Sequence, residues 1–116
     1  MGGMSDTVTY NNPIYVGISG YSNSLEGGAF LMPVTMTVGN VWCYASYTSN
    51  TGVVFELVDA AGNYTGVGCY VNSASAGMPS NQGISPVTLQ AGNIYSMRIT
   101  GNSGAILIDL KWGVGP

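Results

Sequence analysis

In the stretch Ala105-Ile-Leu-Ile-Asp-Leu-Lys-Trp112, the residues Ile106, Ile108, Leu110 and Trp112 fall on one face of an extended chain, with Asp109 and Lys111 on the other. Successive side chains of a strand point to opposite faces, so the pattern is that of a half-buried strand with a polar outer side. Just upstream, Ile94-Tyr-Ser-Met-Arg-Ile-Thr100 repeats it: Tyr95, Met97 and Ile99 alternate with Ser96, Arg98 and Thr100. Val34, Met36 and Val38 alternate with Thr35 and Thr37 in the same way. Helical periodicity is nearly absent.

Further strand candidates are Val8 to Tyr10, Ile14 to Ser19, Val41 to Thr48, Val53 to Asp59, Tyr64 to Asn72 and Pro86 to Leu89. Turn signals separate them: Gly39-Asn40, Ser49 to Gly52, Ala60 to Asn63, Ala91 to Asn93 and Gly101 to Gly104. The reading is an all-β fold of about eight strands, an antiparallel β-sandwich of jelly-roll or Greek-key type. Short loops predict hairpins from Val41 to Asp59, Val53 to Asn72 and Asn93 to Trp112. The last would set Arg98 near Asp109, on the same outer face as Lys111, as a charge cluster that fixes register. Residues 1 to 12 read as an N-terminal arm or edge strand, and residues 13 to 116 as one sandwich domain. Two polar loops, 20 to 29 and 73 to 83, stand outside the pattern.

Of the 116 residues, 6% are charged and 46% hydrophobic, and 18 are glycine. Soluble domains usually carry about 25% charge. Such a surface must be neutral and polar or be covered by partners, which suits a subunit that ends up assembled. Two basic residues and a net charge of −3 leave no basic patch for phosphates, so nucleic acid and anionic membrane are disfavoured partners. No signal peptide and no spanning segment are recognisable. Cys43 and Cys69, in strand-like runs, could bridge two strands, but two free buried thiols are the favoured reading in a reducing compartment.

Histidine is absent, which removes the usual general base and the commonest transition-metal ligand. The five carboxylates belong to different segments or, for Glu56 and Asp59, to opposite sides of one strand, so no acid/base pair is expected. The chain is read as no enzyme, with no cofactor and no metal. Asp59 and Asn63 could offer oxygen donors to calcium, but a hairpin in which they satisfy local backbone donors is preferred. Asn63-Tyr64-Thr65 matches a glycosylation sequon, read as coincidence.

Trp42 and Tyr44 share one strand face; Cys43, Ala45 and Tyr47 share the other. Both faces are apolar, so Trp42 is either an exposed contact platform or part of the core. Several strands carry apolar residues on both sides, which points to a subunit interface and an obligate oligomer, with a trimer favoured.

Residues 53 to 112 resemble the second half of small jelly-roll and lectin-like sandwiches, where a strand ending Asp-x-x-Gly-Asn precedes a hairpin and Leu-x-x-Gly-x-x-Tyr leads into the last strands. Here these are Asp59, Gly62 and Asn63, then Leu89, Gly92 and Tyr95. In size and composition the chain resembles bacteriophage capsid decoration (cement) proteins and fibre domains. That resemblance implies a non-enzymatic virion structural protein, made in the host cytoplasm, whose partner is the major capsid protein or another virion subunit. Thr7, Val8, Thr9 and Tyr10 would form the arm. The alternative is a carbohydrate-binding or receptor-binding domain of a fibre or tail spike, with a glycan touching Trp42, Tyr44, Tyr21, Tyr64 and Tyr70.

Overall fold

A computed structural model describes residues 1–49 and 52–116. The main strands, in chain order, are β1 (Gly2–Gly3), β2 (Thr7–Thr9), β3 (Ile14–Val16), β4 (Tyr21–Ser22), β5 (Phe30–Leu31), β6 (Met36–Thr48), β7 (Gly52–Asp59), β8 (Tyr64–Asn72), β9 (Ser80–Leu89), β10 (Ile94–Gly101) and β11 (Ile106–Gly115). Strand order in the first sheet is β1-β11-β6-β9, with β2 also on β11; in the second it is β4-β3-β10-β7-β8, with β5 also on β10. All pairs are antiparallel.

The pairs β7 with β8, β6 with β9, β3 with β10 and β2 with β11 form one long ribbon, doubled back at the turn after Asp59. Rolling that ribbon brings β11 against β6 and β10 against β7. The result is a jelly-roll sandwich of eight principal strands, with β1, β4 and β5 as two-residue additions at the edges. The hairpin from Val53 to Asn72 is therefore present. Those from Val41 to Asp59 and from Asn93 to Trp112 are not, because β6 and β7, and β10 and β11, lie in opposite sheets. Gly101 to Gly104 turns a corner instead: the Gly104 amide donates to Tyr10 O at 2.6 Å and the Tyr10 amide to Ala105 O at 2.7 Å. Sheets pack about 10 Å apart, a gap that four extended residues can span.

The predicted turn at Gly39-Asn40 is likewise absent; β6 runs through it with a bulge against β9. Inward rows from both sheets meet in one core that includes Val41, Phe55, Leu57, Met97, Ile99, Leu107 and Leu110. Cys43 of β6 and Cys69 of β8 cross this core as a disulfide, Cα atoms 6.4 Å apart, within the usual span of such bonds. This corrects the expectation of two free thiols. They lie 26 residues apart in opposite sheets and meet only when the sandwich closes.

The alternation read in β11 holds at Leu110 and Trp112 but not upstream. Leu107 is buried, and Ile106 and Ile108 turn outward. The phase slips at Asp109, whose φ of 53° lies in the left-handed region that Asp enters more readily than most residues. Opposite it, β6 slips too: Ala45 and Thr48 are buried while Tyr47 is exposed. Ser46 Oγ, donating to Ile108 O at 2.9 Å, holds the two strands together across the slip.

Candidate functional site

Both Arg98 and Lys111 face outward, but they do not form one cluster. Arg98 stands opposite Glu56 on β7 and donates to its Oε1 at 3.0 Å; Lys111 pairs with Asp109 on its own strand. The expected neighbourhood of Arg98 and Asp109 fails because it assumed the β10 and β11 hairpin. Register remains the role of the Arg98 and Glu56 pair, since charges facing each other across neighbouring strands favour one alignment.

Asp59 accepts from the amides of Ala61 at 3.0 Å and Asn63 at 2.9 Å, so its carboxylate is spent on the turn, as the hairpin reading has it. Among the described residues, no three Cys, Asp or Glu side chains gather as a metal site would require. On the outer side of β8, Tyr64 lies close to Glu56, and burial, with that carboxylate, pushes its hydroxyl above the usual range. Tyr70 projects from the same side at 48% exposure.

The aromatic residues singled out in the sequence occupy three places. Tyr64 and Tyr70 sit on β8, at one edge of the second sheet. At its other edge, Tyr21 on β4 faces Thr7, Val8 and Thr9 across a cleft of about 520 Å³. Thr7 to Thr9 are no free arm: they lie along β11 as an edge strand, and Val8 and Tyr10 are buried in the core. Trp42 and Tyr44 share the outer face of the first sheet, which settles the Trp42 question in favour of exposure, at 42%.

The slip at Asp109 divides that face in two. Below the slip, Tyr47 lies directly opposite Ile108, and Thr7 flanks Ile108 on its other side. Ile106 stands beside Thr9. Tyr47 is 47% and Ile106 39% exposed, and no charged side chain lies among these residues. Sequence reasoning had turned Ile106 and Ile108 inward and left the face of Tyr47 open. The signal available was a lone Asp inside an apolar strand.

Above the slip lies an open groove of about 710 Å³, floored by Trp42, Tyr44, Lys111 and Gly113 and walled by Met1 to Asp6 and by Pro79. Across the sheet, Trp42 is flanked by Gly113 on β11 and Asn81 on β9. Its ring reaches over Gly115, where an added Cβ would lie 3.1 Å from Cζ3 and 3.4 Å from Cη2. Gly115 is buried as a result. The Lys111 ammonium sits 5.7 Å from the Tyr44 ring centroid while bonded to the Asp109 carboxylate. The site thus combines an aromatic floor with the Lys111 and Asp109 ion pair, Asp6 on its wall and the Met1 ammonium, which donates to the Trp112 carbonyl. No family model, no curated protein and no solved structure matches this chain.

Proposed function

We propose that the chain is a non-enzymatic virion protein, a decoration subunit that binds an assembled shell as an oligomer, a trimer by preference, and stabilises it. The observation that carries this reading is the uncharged patch of Tyr47, Ile106 and Ile108 beside the edge strand β2. Exposed apolar surface with a polar rim is the usual mark of a protein contact. Beyond β2 the first sheet has no further strand among the described residues, so its outer main-chain groups are open to strand addition.

Three further features support it. The 6% charge leaves little to be desolvated on docking. The disulfide between Cys43 and Cys69 suits a virion surface, where such bonds persist. The jelly roll is a fold shared by viral capsid and lectin domains, a likeness of architecture that does not by itself assign a role. A protein that binds only the assembled form stabilises it by mass action.

The test is re-decoration. Particles that co-purify with this protein are stripped of it and incubated with wild type or with the Tyr47→Ser, Ile106→Ser double variant, and bound protein is measured by co-sedimentation. The double variant is expected to lose at least tenfold in affinity. Full occupancy by it would overturn the reading, and a 12.0 kDa species alone in light scattering at micromolar concentration would remove the oligomer.

A further inference from the structure

We infer that the groove above Asp109, centred on Trp42, binds a neutral saccharide, an inference that goes beyond the assembly reading and does not depend on it. Trp42 is built as a platform. Its strand neighbour Gly113 has no side chain to stand against it, and its ring extends diagonally over Gly115, so the sheet backbone supports it from below. With 42% of the residue still exposed, the opposite ring face is open to the groove. A pyranose ring offers an apolar C–H side that packs against such a face, and aromatic rings supply large apolar contact at low cost in side-chain freedom.

The rim fits the hydroxyls of the same ligand. Asp6 and Ser19 line the groove, and Asn81 stands beside Trp42 on β9, exposed. Together they supply a carboxylate that accepts, and a hydroxyl and an amide that both donate and accept. Charge selects against anions. Lys111 is already paired with Asp109, the Met1 ammonium at the groove wall donates to the Trp112 carbonyl, and Asp6 adds a negative group. An acidic sugar, a phosphate or a nucleotide would meet two cations that already have partners, with the Asp6 carboxylate beside them. The volume, about 710 Å³, lies within the range of small-ligand sites.

The probes are cellohexaose, maltohexaose and chitohexaose, titrated into the intact protein and its variants by calorimetry, which reads binding without Trp42, while tryptophan emission is followed in the wild type. At least one is expected to give a saturable shift that is unchanged between 50 and 500 mM salt. Trp42→Ala and Gly115→Val, the latter lifting the ring off the sheet, should each weaken binding at least tenfold, while Tyr70→Ala leaves it intact. Melting curves of each variant separate lost binding from lost folding. Absence of a shift with all three probes at millimolar concentration would overturn the inference, as would undiminished binding by folded Trp42→Ala. A steep fall of affinity with salt would overturn the neutral ligand, and a shift that follows protein concentration rather than sugar would assign the groove to a second copy of the chain.

Discussion

On the outside of the second sheet, Ser96 and its register neighbour Val58 are fully buried, with Ser96 Oγ donating to Gly28 O at 2.9 Å. On the outside of the first, Tyr47 and Ile106 meet solvent, with no segment above them among the described residues. Both sheets carry apolar residues on two sides, yet one is finished by its own loop and the other is not. Residues 20 to 29, read from sequence as a polar loop outside the strand pattern, are the cover: Gly28 lies against the Tyr15 backbone, where a Cβ would come within 2.7 Å of the carbonyl carbon. Two-sided strands in a sequence therefore announce a second contact layer without saying whether the chain itself supplies it.

That contrast can be broken at three places. The largest loss is expected where neither outer face is involved: Cys43→Ala with Cys69→Ala removes the link between sheets, and for a loop of this length should cost about 3 kcal/mol in denaturant melts. An unchanged midpoint would mean the bond adds nothing to the folded state. Next comes Gly28→Ala, which forces the cover off the second sheet. Overpacking of this kind costs about 1 to 3 kcal/mol, and faster hydrogen exchange at Ser96 and Val58 would locate the damage. Smallest is the Tyr47→Ser, Ile106→Ser pair, expected to shift stability by no more than about 0.5 kcal/mol, as exposed substitutions do. A loss as large as that of Gly28→Ala would show that the first sheet is covered after all, and the contrast would fall.

What was legible in the sequence was whatever depends on nearest neighbours along the chain. Tyr95, Met97 and Ile99 do face the core, because no bulge interrupts β10. The hairpin from β7 to β8 was readable because Asp59 closes its turn on the two amides that follow. Ile106 and Ile108 were assigned to the wrong face because one left-handed residue, Asp109, resets the alternation. Gly101 to Gly104 resembled a hairpin turn because a short polar connector reads the same whether it joins neighbours or crosses between sheets. Trp42 stayed ambiguous until Cys43 had a partner: with Cys43 bound to the opposite sheet, its neighbour must point out. The groove was less legible still, since Gly113 and Gly115 matter only through the side chain they leave room for.

The pairing of Gly2 with Trp112 and of Thr7 with Ile108 has a consequence for how fast the molecule forms. Each of these rungs closes a loop of nearly the whole chain, and contacts between distant residues must be reached against the entropy of everything between them. The turn after Asp59 can form in microseconds, as hairpins do. The ribbon then grows outward from it, β6 meeting β9 and β3 meeting β10, with the β1 and β2 rungs last. The patch that includes Thr7 and Thr9, and the groove wall formed by Met1 to Asp6, are on this account the final parts of the molecule to appear. A newly made chain would acquire its outer patch and groove only in the step in which Met4, Val8 and Tyr10 complete its core.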